Sequence, residues 1–279
     1  MRNGAPVGPR ALEQALGFVI TLTATALVAT LLSGALVGLL LAVFGGGGSV
    51  LAAPLLLYAV GVRDPHVAIG TSSAAVAANA AFNLIGHWRG GRVKWPCAIT
   101  FAAAGLAGSF AGSTLAKAIS GSHLLLAFAV AMAAIAISML RRPKSEGDPD
   151  VHINGMLMIR LAPLGLLTGF AAGFFGIGGG FLIVPGLMLA TGMTMANATA
   201  SSLVSVSIFG AATSINYAAS GLVDWRLAGL LLLGGVLGGM VGLLISKKLQ
   251  TRALLARRGF AGLVLVVAAY VGWQAITSQ

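Results

Sequence analysis

The fold of this chain is decided by the stretch Phe44-Gly45-Gly46-Gly47-Gly48-Ser49-Val50-Leu51-Ala52-Ala53-Pro54. A second version, Phe175-Gly176-Ile177-Gly178-Gly179-Gly180-Phe181-Leu182-Ile183-Val184-Pro185, follows 131 residues later (44 to 175). Each stretch comes after a long apolar segment and before a short one. Clustered glycines weaken a helix, but they let the backbone turn sharply and approach a ligand closely. The two stretches are therefore predicted to be paired helix breaks that bind a substrate.

The composition of the chain places it in a membrane. Hydrophobic residues make up 58% of its 279 residues, charged residues 8%, and the mean hydropathy is +0.97. A soluble domain of this length could not bury so much apolar surface in one core. The net charge of +11 would suggest a nucleic-acid partner in a soluble protein. Here the basic residues lie between apolar runs, where the positive-inside rule puts them, so we expect a lipid environment and no nucleic acid.

Cysteine and histidine usage gives no sign of redox or metal chemistry. The single Cys97 can form no intrachain disulfide, and it makes no ligand cluster with the four scattered histidines. We therefore expect no metal and no cofactor. The first apolar run, 16–44, is much longer than the apolar core of a signal peptide, and it is interpreted as a retained first span.

Polar and glycine-rich stretches divide the chain into ten apolar segments. A full crossing needs about 20 residues at a rise of 1.5 Å per residue. The segments that follow the two glycine stretches are too short to cross, unless they absorb the glycines or stop partway through the membrane. The ten segments are 16–44, 50–61, 67–86, 96–118, 124–140, 156–175, 181–193, 196–219, 227–246 and 259–276.

The chain is predicted to consist of two repeats. Residues 1–140 form the first transmembrane repeat, 141–155 a polar linker, and 156–279 the second transmembrane repeat. The duplication extends well beyond the glycine stretches and keeps a shift of 130 to 131 residues. It equates Gly34 with Gly165, Gly38 with Gly169, Pro54 with Pro185, Thr71-Ser72 with Ser201-Ser202, Trp95 with Trp225, and Gly105, Gly108 and Gly112 with Gly235, Gly238 and Gly242.

An odd number of segments in each repeat predicts that the two copies have opposite orientations. The positive-inside rule supports this, because the loop from Arg89 to Lys94, the central linker and the loop from Lys247 to Arg258 can all be cytoplasmic. Arg2 and Arg10 then lie on the unfavoured outer side. The alternative is eight full spans with two re-entrant pieces, which makes the repeats parallel. The predicted fold is an all-α polytopic membrane protein of about ten transmembrane segments, two of them short or broken, in two inverted five-segment repeats.

The glycine stretches, their downstream prolines and the following Gly70-Thr71-Ser72 and Ala200-Ser201-Ser202 elements resemble the TauE/SafE sulfite exporter family of membrane permeases. The resemblance covers nearly the whole chain after Leu16. It implies a secondary transporter for sulfite, sulfoacetate or another small sulfur-containing or organic anion. The first glycine stretch departs from the tidier second one, because Gly46 stands where the second has Ile177, and Ser49 where it has Gly180.

A helix break can bind an anion without a buried cation. It frees backbone N–H groups, and the next short helix points its positive dipole end at the break. Hydroxyl and amide side chains in the following segments could add donors, although such residues also bond within their own helix or bridge neighbouring helices. The predicted substrate-binding residues are Gly45, Gly46, Gly47, Gly48, Ser49, Thr71, Ser72, Asn79, Asn83, Gly176, Gly178, Gly179, Gly180, Ser201 and Ser202.

The acidic residues all lie at segment ends or in loops, so no buried carboxylate is available as a proton relay. Proton coupling would then use the substrate itself or a histidine, and His66, His87, His123 and His152 are interpreted as interfacial or loop residues. The predicted function is a multi-pass, proton-coupled secondary anion transporter of the bacterial inner membrane, with a passive anion channel as the alternative. The sequence shows no paired carboxylates and no nucleophile next to a base, so nothing in it indicates an enzyme. The oligomeric state is left open.

Overall fold

The computed structural model describes residues 24–140, 148, 155–176, 180–249 and 253–277. The described chain is all-helical, apart from its connecting loops and an isolated bridge between Asp148 and Met193. This confirms the predicted helical class. The helices are α1 (Ala24–Phe44), α2 (Pro65–Arg89), α3 (Trp95–Lys117), α4 (Gly121–Leu140), α5 (Gly155–Phe175), α6 (Gly180–Thr191), α7 (Met195–Ala218), α8 (Trp225–Leu249) and α9 (Ala253–Thr277).

Eight helices in the described ranges are long and apolar enough to cross a membrane. One of these candidate spans, Ala24–Val60, includes the first glycine stretch, and Leu182–Thr191 is a shorter apolar helix. The sequence predicted about ten segments, and the segments beyond eight are these two short pieces. The protein is therefore a multi-pass membrane protein with eight candidate spans, and the count of ten depends on how the short pieces are placed.

The residues between α1 and α2 form an irregular helical stretch, residues 45–60, which we call the first short segment. It begins with a 3₁₀ helix (Gly45–Leu51), continues through Ala52–Pro54 and ends in a π-type helix, Leu55–Val60. A Cβ atom on Gly48 would overlap the backbone of Leu40, eight residues earlier. In a continuous helix these residues would be about 12 Å apart, so the chain folds back on α1 at the glycines.

Local signals explain where the next helices begin. Asp64 caps α2 by accepting a hydrogen bond from the backbone N–H of His66 at 2.8 Å, and Pro65 occupies the first turn. Thr194 caps α7 by accepting one from Asn197 at 3.3 Å. The carboxylate of Asp224 accepts from Arg226 and Leu227 at the start of α8. The acidic residues at these helix ends therefore have a structural role in capping.

The first helix of each half packs against a helix of the other half. Helix α1 lies along α8, and α5 lies along α3. Glycines make both contacts close: a Cβ on Gly38 would overlap the backbone of Gly235, and one on Gly169 would overlap that of Gly105. The later glycines of the repeat therefore serve helix packing, as small residues do in membranes. The two halves are intertwined in the folded protein.

Helices α2 and α7 form the centre of the bundle. Of their most apolar 18 residues, 67% in α2 and 78% in α7 are buried, against at most 44% in the other spans. The two pack against each other and run in opposite directions, since Gly70 meets Tyr217 while Gly210 meets Ser73 and Ala77. Helices α4 and α9 form a further pair. The Gly70-Thr71-Ser72 and Ala200-Ser201-Ser202 elements, which come after the glycine stretches in the sequence, thus lie on the two most buried helices.

Candidate functional site

The first break is a buried turn held against α7. Gly45 has φ +64°, a conformation that favours glycine, and a Cβ there would meet the Thr199 carbonyl and the Ser202 hydroxyl. The backbone N–H of Gly46 donates to Ser202 Oγ at 3.1 Å, and Ser49 Oγ donates to the Gly46 carbonyl at 2.7 Å. Gly45–Leu51 is buried throughout. The break therefore directs a backbone donor towards a side chain of the other half.

The second break begins with the same backbone conformation at the end of α5. Gly176 also has φ +64°, and a Cβ there would overlap the side chain of Ile69 on α2. Its carbonyl accepts a hydrogen bond from Ser73 Oγ at 2.6 Å. Gly180 begins α6, whereas the predicted site residues Gly178 and Gly179 lie outside the described residues. Each break is thus held by a serine near the start of the opposite half's central helix.

The two breaks lie at different depths in the bundle. Ser202 is eight residues before Gly210, which is level with Ser73 on the antiparallel α2. At 1.5 Å per residue, the two serines are roughly 12 Å apart along the helix pair. The first short segment nevertheless contacts α6, so the two broken regions adjoin. The site residues predicted from sequence form two related clusters rather than one.

Thr71 and Ser201, which the repeat equates, have matching structural contacts. Thr71 Oγ1 accepts a hydrogen bond from the backbone N–H of Asp224, and Ser201 Oγ accepts one from that of Lys94, both at 2.9 Å. Asp224 and Lys94 are the residues that precede α8 and α3. Both hydroxyls are fully buried. Each therefore joins a central helix to the helix start of the other half. The neighbouring Ser72 bonds back to its own helix, at the Ile69 carbonyl.

Asn79 and Asn83 form a buried polar row with His87 on one face of α2. All three are at most 2% exposed. The amide of Asn79 lies against Gly235 and that of Asn83 against Gly239, so glycines of α8 make room for both. Neither polar atom of the Asn79 side chain has a partner among the described residues, and Asn83 Oδ1 and His87 Nδ1 also lack one. Sequence reasoning treated His87 as interfacial; it lies at the end of α2, but it is enclosed by neighbouring helices.

Some contacts of the site were missed from the sequence. Ser73 holds the second break, although the repeat register equates Ser72 with Ser202 and so favours the wrong serine. Lys117 Nζ donates to the carbonyl and the side-chain oxygen of Asn216 at 3.0 and 2.9 Å. Lys117 was not among the predicted site residues, but it joins α3 to α7. The spacing of four residues from Asn79 to Asn83 to His87 was the available signal for the polar row.

A cavity of about 400 Å³ lies away from both breaks, next to the π-type end of the first short segment. Arg63 is the charged residue in its wall, and Ser122 and Gln274 contribute polar groups. Arg63 therefore lies in the wall of a cavity between the first short segment, α4 and α9. The cavity is lined by Leu57, Tyr58, Val62, Arg63, Pro65, Gly121, Ser122, Leu125 and Gln274.

The chain is similar to known membrane transporters over most of its length. The family described as Sulfite exporter TauE/SafE matches residues 30–271. A "Probable membrane transporter protein" of Xylella fastidiosa (strain 9a5c) is 46% identical over 92% of this chain and 99% of its own. The "Probable membrane transporter protein YunE" of Bacillus subtilis (strain 168) is 25% identical over 79% of this chain and 89% of its own. No solved structure matches the chain.

Proposed function

Because this chain belongs to the TauE/SafE sulfite exporter family of membrane transporters, we propose that it is a secondary transporter for a small organosulfur or organic anion. The anion, such as sulfite or sulfoacetate, binds at the two glycine-rich breaks and crosses the bacterial inner membrane, coupled to protons. The observation that carries this proposal is the contact between the Gly46 N–H and Ser202 Oγ. It joins a backbone donor of one repeat to a hydroxyl of the other.

The order of contacts along the helices supports two inverted repeats. Helix α1 runs in the same direction as α8, since Gly34 meets Leu231 and Gly38 meets Gly235. Helix α8 also runs with α2, since Asn79 and Asn83 meet Gly235 and Gly239 in turn.

In the second half, the corresponding helices make equivalent contacts but run in the opposite direction. Helix α5 runs with α3, because Gly165 meets Phe101 and Gly169 meets Gly105. Helix α3 runs with α7, because Ser109 bonds to Phe209 and Lys117 to Asn216. Since α2 and α7 are antiparallel, each of α1, α2 and α3 is opposite in direction to its equivalent. This favours repeats 1–140 and 156–279, joined by 141–155, with inverted orientation.

The short segments are the second and seventh of the ten segments, and they supply the changes of direction that an inverted ten-segment fold needs. The first reverses at Gly48, which lies against Leu40. The second, α6, ends at Thr191 next to the linker, where the backbone N–H of Asp148 donates to the Gly192 carbonyl at 2.8 Å. The loop from Arg89 to Lys94, the linker and the end of α8 then lie on one side, which the positive-inside rule makes cytoplasmic. Both termini lie outside.

The chemistry of the breaks suits an oxyanion. When the first break moves away from α7, the Gly46 N–H becomes a free donor for an anionic oxygen. The Ser202 hydroxyl, which donates to the Thr199 carbonyl at 2.8 Å, can turn to donate to the same oxygen. Buried donors of this kind bind an anion without a paired cation, as at other helix breaks in transporters. The described site residues are buried, so the substrate gains access only through such a movement. Opening of the first break on one side and of the second on the other would give alternating access.

Ligand-dependent thermal stabilisation of the purified protein is the test of this function. Sulfite, sulfoacetate, taurine, thiosulfate, lactate and sulfate are each added, because a ligand that binds the folded state raises its melting temperature. We expect a shift with one or two of these anions, and uptake of the same anions into proteoliposomes. No shift and no uptake with any of them would contradict the proposal. Uncoupled current far above transporter turnover would instead indicate an anion channel.

A pair of serine variants connects binding to the break. Ser202→Ala removes a hydroxyl at the first break, and losing a hydrogen bond to a charged group costs about 1.5–3 kcal/mol, or at least about tenfold in affinity. Ser207→Ala is the control, because Ser207 Oγ bonds only to the Leu203 carbonyl of its own helix. Equal affinities of the two variants for the stabilising anion would place the binding site elsewhere.

A further inference from the structure

The row formed by Asn79, Asn83 and His87 leads from one end of α2 towards its middle. Successive members are four residues apart, so they lie on one face and span about 12 Å. Helix α2 extends from Pro65 to Arg89, which puts His87 at its end and Asn79 close to its centre. The row therefore reaches from the loop of Arg89 to Lys94 to a depth between those of the two breaks.

The unpartnered atoms of the row require an explanation other than helix packing. Among the described residues, four side-chain atoms of these three residues are buried without a partner. A buried polar group without a hydrogen bond costs about 1–3 kcal/mol of folding free energy, and helix packing alone does not offset this loss. Buried water commonly satisfies such groups when several lie together. The glycines of α8 opposite the two asparagines offer no side chain as a partner for these atoms, so water is the group that can satisfy them.

The hydrogen bond of His87 fixes which ring nitrogen can take up a proton. His87 Nε2 is 3.0 Å from the Ala42 carbonyl oxygen. A carbonyl can only accept, so Nε2 carries the hydrogen and Nδ1 carries the free lone pair. Nδ1 is the ring atom without a partner. A proton can therefore bind at Nδ1 while the bond to Ala42 is kept, three residues before the break at Gly45.

Among the side chains that the structure describes, the charged groups near His87 come from the loop after α2. The Arg92 guanidinium acts on the ring electrostatically, and its backbone N–H approaches the His87 carbonyl at 3.4 Å. Arg89 and Lys94 belong to the same loop. Helix α1 has no ionisable residue between Ala24 and Phe44, and Arg226, on the part of α8 whose side chains are described, lies at the other end of the bundle. No described carboxylate faces the ring, so His87 itself is the protonatable group.

The other half of the molecule lacks this row. With the shift of 130 residues, the equivalent positions on α7 are Phe209, Thr213 and Tyr217. Phe209 fills the space against Gly105, and Thr213 forms a hydrogen bond with Ser109 at 3.2 Å. The Tyr217 hydroxyl is also buried without a partner among the described residues, but it stands alone, because Phe209 is apolar and Thr213 is paired. A continuous polar row is therefore found only on α2, which ends at the basic loop.

We propose that Asn79, Asn83 and His87 form a hydrated proton path, and that His87 Nδ1 takes up the proton coupled to transport. The proton comes from bulk water at the basic loop, forms the Nδ1–H bond, and later returns to water along Asn83 and Asn79. This inference deepens the proposed function, since it names the group that couples proton and anion movement. Protonation acts on the break through the bond from His87 to Ala42.

Nitrogen-15 spectroscopy tests the path without any substrate. The protein is labelled with ¹⁵N-histidine in lipid nanodiscs, and His66, His123 and His152 are replaced together by glutamine to isolate the His87 signals. Between about pH 5 and pH 9, we expect Nδ1 to titrate while Nε2 stays protonated. Exposed His123, kept in a matched variant that lacks the other three histidines, provides the reference signals of a solvent-exposed imidazole. Unchanged His87 signals across this range would overturn the inference.

Transport measurements then test the coupling. His87→Gln keeps an amide that can donate to Ala42 but cannot take up a proton. In proteoliposomes with ³⁵S-sulfite, we expect uptake driven by a pH gradient to fall about tenfold. Sulfite exchange at equal pH should persist, and His123→Gln should behave as wild type. Gradient-driven uptake equal to wild type would contradict the inference, as would loss of exchange to the same degree. Failure of the wild type to move sulfite or any other anion would contradict the proposed function instead, while the spectroscopic titration would still test the path.

Discussion

The Thr71 hydroxyl accepts a hydrogen bond from the backbone N–H of Asp224 at 2.9 Å, which joins α2 to the start of α8. The repeat reproduces this bond at Ser201, which accepts from Lys94 at the same distance. The two bonds link opposite halves of the molecule, and they do so at equivalent positions. Residues selected from the sequence as substrate donors therefore also hold the central helices in register with their neighbours.

Replacing Thr71 by valine should destabilise the protein, because it removes the acceptor without changing the side-chain shape. An unpaired backbone donor at this partly buried position should cost about 1–3 kcal/mol of unfolding free energy. Reversible unfolding in mixed detergent measures the change. Thr100→Val is the control, since Thr100 Oγ1 is exposed and bonds only within its own helix. Equal stability of the two variants would show that the bond to Asp224 contributes little.

Alanine at Gly45 should abolish folding or transport, whereas alanine at Gly61 should be tolerated. Both glycines have positive φ, +64° and +89°, so each substitution costs about 1–2 kcal/mol of backbone strain. Only Gly45 lacks space for a Cβ, which would meet Thr199 and Ser202; no atom lies within 4 Å of a Cβ at Gly61. Folded yield and anion uptake separate the two effects. If both variants lose activity equally, strain rather than the contact with α7 is responsible.

Alanine at Gly238 should separate α1 from α8. A Cβ there would overlap the backbone of Ala35, and overpacking of this kind costs about 1–3 kcal/mol or more. Gly229 is on the same helix with open space around it, so Gly229→Ala should be neutral or gain up to about 1 kcal/mol in helix propensity. Thermal unfolding in detergent measures both. A stable Gly238→Ala variant would mean that the helices adjust without loss.

Cysteine labelling distinguishes inverted from parallel repeats. Arg89 and Ala219 are exposed and equivalent under the shift of 130 residues. Inverted repeats place them on opposite sides of the membrane, so a membrane-impermeant maleimide added to intact spheroplasts should label Ala219→Cys and not Arg89→Cys. The native Cys97 is buried and should give little background. Labelling of both positions from one side would support the alternative of parallel repeats.

Residues whose role depends on their own neighbours in sequence were predicted well. The glycine stretches end helices as expected, because Gly45 and Gly176 take a backbone conformation that disfavours other residues. Asp64 and Asp224 were placed at segment ends and cap helices there. Residues whose role depends on distant partners were not. Ser73, Lys117 and His87 gain their contacts from Gly176, Asn216 and Ala42, which are brought to them only by folding.

A helical membrane protein and its candidate spans follow from the sequence, which also predicts a duplication and two glycine-rich breaks. These features follow from composition, segment length and backbone preference, which act locally. The tertiary structure alone decided that α1 packs on α8 and α5 on α3, and that each break rests on a serine of the other half. The physical reason is that close packing of glycine-lined helices and buried hydrogen bonds depend on which surfaces meet. A repeat in the sequence shows which positions are equivalent, but it does not show which residues contact each other.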